Sequence, residues 1–413
     1  MQTVLITGAA SGIGRDTAHL FASAGWQCVL VDRNAQALEK VVRSLPAHGS
    51  ATHLPRVIDL TDRQQMASLA QGTPALDAIV NNAGMTEPST LPLIEQTPEQ
   101  LQRLLALNLS APAAVVDACS GLLHPGARVV NVSSGAGLAA IPWRGAYSPS
   151  KAGLIAQTMA LAQARPDLCV TVLAPGFVRT ELVESLIQSG RLVPEGAVAK
   201  IPLGRMAAPA EMARALFFLA SAGAWPFRGQ ILALNGGSSI SGASRPYAPT
   251  TIDTLPLDWP VKLDVRGDNA ELWGTWAETS ARPVGSEGVT SYEACLDVSA
   301  LSAPAGGLLQ AVHLAATRFA GRHDQQASLT VLLPSRAATR WQDAGDAAAA
   351  RMLVSTLACE WGALALRINA VEVPEGIDPS QLHPLLAYVC GPAAQYLTGQ
   401  TLICQGAASG PAA

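Results

Sequence analysis

Residues 3–14 read TVLITGAASGIG. Thr3–Thr7 is aliphatic or β-branched at every position, which predicts a strand buried on both faces. Gly8, Gly12 and Gly14 follow in the pattern Thr7-Gly8-x3-Gly12-x-Gly14, and a helical pattern then runs through Gly25. Strand, glycine turn and helix in that order place free backbone N–H groups and the positive end of a helix dipole at the turn. The glycines let a pyrophosphate approach the main chain there. Glycine turns also serve ordinary tight corners. The strand before and the helix after favour a dinucleotide-binding turn.

Working outward, Cys28–Val31 is the next apolar run, and Asp32 ends it 18 residues after Gly14. A carboxylate at that spacing can accept hydrogen bonds from the adenosine ribose hydroxyls and repel a 2′-phosphate, which predicts NAD in preference to NADP. Arg33 pulls the other way, because a guanidinium can bind a 2′-phosphate, while Ser11 is not the basic residue that would strengthen such a site. Short apolar runs recur at Ala78–Val80, Val129–Val132, Val170–Leu173 and Ile231–Leu234, separated by helical patterns. This alternation predicts an α/β fold over residues 1–244, a Rossmann-type doubly wound parallel sheet with helices on both faces.

Further motifs follow in order: Asp59-Leu60, Asn81-Asn82-Ala83-Gly84, Asn108, Ser134, Tyr147-x3-Lys151 and Pro175-Gly176-x3-Thr180. With them, residues 1–240 resemble the short-chain dehydrogenase/reductase family nearly end to end. The resemblance implies a cofactor site made by Gly8, Ser11, Gly12, Ile13 and Gly14 in the turn, by Asp32 and Arg33, and by Asp59 and Leu60 beside the adenine. Asn81, Ala83 and Gly84 would support the sheet next to the cofactor, and Pro175, Gly176, Val178 and Thr180 would hold the nicotinamide. It also implies a catalytic set of Asn108, Ser134, Tyr147 and Lys151, with Asn108 ordering a water that links Lys151 to solvent. Thr171 departs from the family, many of whose members carry Asn there.

The chemistry of those residues can be argued separately. Tyr147 and Lys151 are i and i+4, on one helix face. An unperturbed tyrosine, with a pKa of about 10, is a poor base near neutrality. A neighbouring ammonium and a positive nicotinamide favour the phenolate and are expected to lower that value. Tyr147 can then exchange a proton with an alcohol or ketone oxygen that Ser134 holds. The expected activity is hydride transfer between NAD(H) and a secondary alcohol or ketone. The alternative is a redox-sensing regulator that binds NAD and turns over slowly. Ala136, Leu138, Ile141, Trp143, Phe177, Val178, Leu182, Leu186 and Ile187 are the expected pocket residues, with Arg144 and Lys200 as nearby cations.

Composition narrows the class. Hydrophobic residues make up 49% of the 413 and charged residues only 14%, which excludes a mostly disordered chain. A net charge of −4 gives no pull towards nucleic acid or an anionic membrane surface. No apolar run reaches the ~20 residues of a membrane-spanning helix. The N-terminus, without a basic start or a long apolar stretch, reads as folded strand rather than signal peptide. The seven cysteines are scattered without a C-x-x-C and no H-x3-H pair occurs, so no metal site is expected. Free thiols in a reducing cytoplasm are the expectation.

Residues 245–260 carry Pro246, Pro249, Pro256 and Pro260 and read as a stiff linker. Residues 261–413 hold a faint echo of the first part. At a constant offset of 170, Leu219 falls on Val389, Ala224 on Ala394, Gly229 on Gly399, Gln230 on Gln400, Leu232 on Leu402 and Gly236 on Gly406. The expectation is a second, truncated Rossmann-like α/β domain, a degenerate copy that keeps a long helix, the strand after it, and the last helix and strand. No glycine fingerprint occurs there. Aligned through the long helices, Tyr147 falls on Asp343 and Lys151 on Ala347, Ser335 is a candidate counterpart of Ser134, and Glu372 and Glu375 interrupt the Pro-Gly position. Family tetramers imply a role in assembly: the second domain replacing a subunit, and two chains forming a homodimer that is a pseudo-tetramer with two active sites.

Overall fold

The computed structural model describes residues 1–46, 52–87, 91–242, 245–280, 291–335 and 344–406. The first sheet comprises β1 (Thr3–Thr7), β2 (Gln27–Asp32), β3 (Leu54–Val57), β4 (Leu76–Asn81), β5 (Leu123–Val132), β6 (Cys169–Pro175) and β7 (Ile231–Leu234). Its order is β3-β2-β1-β4-β5-β6-β7 and every pairing is parallel. The helices between are α1 (Gly12–Ser23), α2 (Ala35–Ser44), α3 (Arg63–Ala67), α4 (Pro98–Leu105), α5 (Ala111–Ala118), α6 (Tyr147–Ala164), α7 (Glu181–Gln188), α8 (Pro194–Val198) and α9 (Pro209–Leu219). The chain leaves β1 in one direction for β2 and returns to its other side for β4. That reversal opens a crevice above the C-terminal strand ends, where Thr7, Asp32 and Asn81 lie.

The central strands are the apolar runs of the sequence: all of β1 and all of β6 are buried. β3 is not visible as such a run. It reads LPRV, sits at the sheet edge with alternating exposure, and tolerates Pro55 because an edge strand needs only one ladder of hydrogen bonds.

The second sheet is larger than the expected remnant. β8 (Val261–Arg266), β9 (Tyr292–Asp297), β10 (Ala327–Ser335), β11 (Arg367–Pro374) and β12 (Thr401–Ile403) are ordered β12-β11-β10-β9-β8, all parallel. They alternate with α10 (Ala270–Ser280), α11 (Leu308–Ala320), α12 (Ala344–Trp361) and α13 (His383–Cys390). From β1 the first sheet continues β4-β5-β6-β7, and from β8 the second continues in the same sense to β12. Among the described residues, nothing pairs on the outer side of β8 as β2 and β3 do on β1. Ser335 ends β10, exposed and paired with Pro374. Ala347 lies on α12, and Asp343 lies outside the described residues.

The two sheets share one apolar core. It runs from Val4 and Phe21 through Leu216 and Leu234 to Leu385, Val389 and Leu402. The main chain stitches the same seam: Gly236 N donates to Tyr396 O at 3.1 Å, and Gln405 N to Pro226 O at 2.8 Å. Residues 245–260 have no helix or strand, but they form a bonded strap rather than a free linker. Tyr247 N donates to Ala199 O in the first unit, and the Gln395 side chain of the second clamps Leu255 through both its N–H and its carbonyl.

The cysteines lie apart as free thiols, six buried and Cys359 half-buried. Burial raises the Cys28 thiol to about 12, so it is inert as a nucleophile. No described helix is long and apolar enough to cross a membrane.

Candidate active site

The turn after β1 depends on glycine at two positions. Gly8 has φ +65°, and a Cβ there would lie 2.9 Å from Ala83 Cα. A Cβ on Gly14 would lie 2.1 Å from the Gly8 carbonyl oxygen, so Gly14 is where α1 presses against the turn. Thr7 Oγ1 accepts from the N–H groups of Asn82 and Ala83, both at 3.0 Å, and the Asn82 side chain donates to Thr7 O and Gly8 O. The Asn81–Gly84 turn is thereby locked to the glycine turn across the crevice.

At the end of β2, both Asp32 carboxylate oxygens accept backbone N–H bonds, from Ala10 at 3.1 Å and Asn34 at 2.9 Å. The side chain is therefore fixed at the crevice wall. Asp59 is held below the ordinary carboxylate range, first by hydrogen bonds from Thr61 and to a smaller degree by the nearby Arg33.

These residues line one cavity of about 560 Å³. Of the expected cofactor residues, Gly8, Ser11, Gly12, Ile13, Asp32, Arg33, Asp59, Leu60, Ala83, Gly84, Pro175, Gly176, Val178 and Thr180 are on its wall, together with Ser134, Tyr147 and Lys151. Three expected residues are not. Gly14 is a packing contact, as above. Asn81 is buried behind the wall, donating to Asn131 Oδ1 at 2.9 Å and to Pro112 O at 3.3 Å. Asn108 lies in a π-helical turn, Ala106–Ser110, inserted between α4 and α5. Its Oδ1 accepts from Met85 N, and its Nδ2 donates to Met85 O and Ser150 Oγ. The Asn108 side chain thus holds Met85 and Ser150.

Tyr147 is the first residue of α6 and Lys151 lies one turn on, buried, with Nζ donating to Val132 O at 2.9 Å. Ser134 lies beside the Tyr147 hydroxyl, near enough to favour its phenolate, and the Ser134 Oγ accepts from Ala136 N at 3.1 Å. Burial raises the Tyr147 pKa above its ordinary value, and the neighbouring Ser134 hydroxyl and the Arg144 charge offset this only in part. Burial also lowers Lys151 to about 8. The lowered phenol expected from Lys151 together with a positive nicotinamide is therefore not supplied by the protein's own groups by themselves. Desolvation dominates both groups and favours neutral phenol and neutral amine.

Several wall residues lie outside the sequence motifs: Met85, Thr86, Arg103, Leu107, Glu181 and Val183. Glu181 bears most directly on binding. Its carboxylate accepts from Gly12 N at 3.0 Å and pairs with Arg15, so a carboxylate sits at the N-terminus of α1. Its place directly after Thr180 was the available signal, and no spacing rule singles it out. Of the expected pocket residues, Val178 and Leu182 line the cavity, and Ala136 is buried. Leu138, Ile141 and Trp143 are exposed on the loop before Tyr147. Trp143 has φ +63°, a strained conformation for a bulky residue. No cluster of metal-binding side chains occurs among the described residues.

The family described as enoyl-(acyl carrier protein) reductase matches residues 8–239. An uncharacterized short-chain type dehydrogenase/reductase, y4vI, of Sinorhizobium fredii is 38% identical over 242 residues, 57% of this chain; the chain spans only 43% of that relative's length. The 3-oxoacyl-[acyl-carrier-protein] reductase FabG of Thermotoga maritima is 34% identical over 58% of this chain and 98% of its own. The crystal structure of a short-chain type dehydrogenase/reductase from Mycobacterium marinum superposes with a TM-score of 0.51 at 28% identity, covering 57% of this chain and 95% of that one.

Proposed function

This chain belongs to the short-chain dehydrogenase/reductase family through residues 8–239, and from that membership we propose that it is an NAD(H)-dependent reductase of ketones, working reversibly on secondary alcohols. The observation that carries the reading is that Ser134, Tyr147 and Lys151 share the wall of the same cavity that starts at the glycine turn, with Lys151 one helical turn from Tyr147. Because the relatives include 3-oxoacyl-[acyl-carrier-protein] reductases, a 3-oxoacyl thioester is the first substrate class to try.

A nicotinamide dinucleotide fits the residues present. Gly8 and Gly12 leave the main chain bare at the N-terminus of α1, where side chains would fill the space, and the cavity continues from there to Tyr147. Bound there, the reduced nicotinamide supplies a hydride. Ser134 would hold the carbonyl oxygen, and the Tyr147 hydroxyl would donate its proton to that oxygen as negative charge develops. Lys151, buried beside the backbone of Val132, would stabilise the phenolate left behind. Asp32, fixed by two backbone N–H bonds, supports NAD over NADP, since a 2′-phosphate would meet its carboxylate.

We assign residues 1–244 as the catalytic domain, 245–260 as the connecting strap, and 261–413 as a degenerate copy of the first unit. The shared strand order supports the copy. So do Gly229 and Gly399, 170 apart, with φ +70° and +71°, whose N–H groups donate to Val170 O and Ile368 O at the starts of β6 and β11. The copy has no β2–β3 side among the described residues and carries Ala347 where the alignment puts Lys151, so one active site per chain is expected. A homodimer with two active sites remains our proposal for the assembly. Ketone-dependent oxidation of NADH by the wild type and by Tyr147→Phe tests the catalytic reading.

A further inference from the structure

We infer that the second α/β unit is a positioning element for the active site: it grips the C-terminal stem of the segment whose start lines the cavity. This rests on the functional reading of that cavity. The segment runs from Arg179 to Met206 and contains α7 and α8. Its base is closed by a two-sided bridge in which Arg179 N donates to Ala207 O at 2.8 Å and Ala207 N to Phe177 O at 2.9 Å. Thr180, Glu181, Leu182 and Val183, at its start, are on the cavity wall. The start is thus the working end; it is tied to the first unit by the Glu181 bond to Gly12 N, by the surface pair with Arg15 and by buried Leu186, while Leu182 is half exposed.

The other end, residues 199–205, is held from outside the first unit. Gly362, just after α12, packs so closely on Pro202 that a Cβ would lie 2.2 Å from the Pro202 carbonyl oxygen. The Tyr396 hydroxyl donates to Arg205 O at 3.1 Å, and the Arg205 guanidinium lies 4.9 Å from the centre of the Tyr396 ring. Arg205 is in turn fixed by two short bonds to buried Glu211 at the start of α9. The strap completes the grip: Thr250 N donates to Gly204 O, and Thr250 Oγ1 reaches Ala363 O at the end of α12. Ile201 and Leu203 are buried in this clamp. A stem held on three sides restricts the angles at which α8 enters it, and through α8 and the short turn before it the placing of α7. The second unit therefore helps to set where Thr180–Val183 rest at the cavity, although none of its described residues is on the cavity wall.

The test is hydrogen exchange on the full-length protein, followed by steady-state kinetics. Tyr396→Phe removes the hydroxyl that holds Arg205 O, and Gly362→Val forces Pro202 to move. Exchange in peptides covering residues 181–198 should quicken by about three- to tenfold in Tyr396→Phe, the range a single net hydrogen bond of this kind provides, and by more in Gly362→Val. Peptides from α2 and β3, on the far side of the first sheet, should be unchanged. The KM for the ketone should rise with kcat within about twofold. Unchanged exchange over 181–198 in both variants, or an equal rise throughout the first sheet, overturns the inference. The exchange readout needs no substrate. A protein that reduces no ketone therefore refutes the functional reading without deciding the anchoring.

Discussion

Phe218 and Tyr388, 170 residues apart in the chain, stack face to face with ring centroids 4.6 Å apart and planes within 2°. The separation equals the offset at which the two halves echo each other in sequence. An equivalent pair meeting itself is what a two-fold relation produces, as in an isologous dimer interface. Pro226 and Tyr396 are also 170 apart, and each lends its carbonyl to the opposite strand end, to Gln405 N and Gly236 N. This self-matching supports the proposal that the second unit occupies the place of a partner subunit.

The stack should carry measurable energy. Phe218→Ala and Tyr388→Ala are each expected to lower unfolding free energy by about 3 kcal/mol. A double-mutant cycle in denaturant should return a coupling of roughly 1 kcal/mol. The Tyr388 hydroxyl is buried with no hydrogen-bond partner among the described residues. Tyr388→Phe should therefore be neutral or stabilising by up to about 1 kcal/mol. A clear loss of stability in Tyr388→Phe would show that the hydroxyl has a partner.

Glu181 sets a second expectation. Its carboxylate lies against Gly12 N and Arg15 at the positive end of α1, where the pyrophosphate of the proposed cofactor would bind. Glu181→Gln should tighten NADH binding, by an amount on the order of 1 kcal/mol, measured by fluorescence titration. Adenosine, which has no phosphate, should bind both forms equally. Weaker NADH binding in the variant would mean that Glu181 assists the cofactor instead of competing with it.

Cofactor choice turns on Asp32. The wild type should prefer NAD to NADP at least tenfold in kcat/KM, which corresponds to about 1.4 kcal/mol, and Asp32→Ala should shrink that ratio. A wild type that prefers NADP would make Arg33 the dominant residue.

Lys151 gives a pH dependence with a definite sign. Burial lowers it to about 8 in the folded protein, while the unfolded chain keeps a value of about 10.4. Between those values the unfolded state binds more protons, so this residue makes stability rise with pH from about 8 to about 10. Tyr147 is shifted up and works in the opposite direction above pH 10. Lys151→Met should flatten the rise between pH 8 and 10 in thermal melts. An unchanged slope would mean that Lys151 is more hydrated than its burial implies.

Much of this was legible in the sequence because strands buried on both faces must be apolar throughout. β1 and β7 coincide with their apolar runs, and the motif residues collect at one strand edge because the parallel sheet brings its C-terminal ends together. β3 and β8 were not legible as strands. Both lie at sheet edges, and LPRV and VKLDVR mix charge with apolar residues, as half-exposed strands do. The site details that escaped are those set by tertiary contact. The hold of Asn108 on Met85 and Ser150 follows from a π-helical turn that no local pattern announces. The rise in the Tyr147 pKa comes from burial, which residue spacing does not encode.

In the proposed reaction Tyr147 is the proton donor of a ketone reductase. The most direct measurement is the rate of NADH oxidation with acetoacetyl-CoA, a 3-oxoacyl thioester, by full-length wild type and Tyr147→Phe, alongside NADH titration of both. The wild type should turn over, the variant should lose about a hundredfold or more in kcat, and NADH affinity should stay within a factor of about three. Equal kcat in the two proteins would contradict that role for Tyr147.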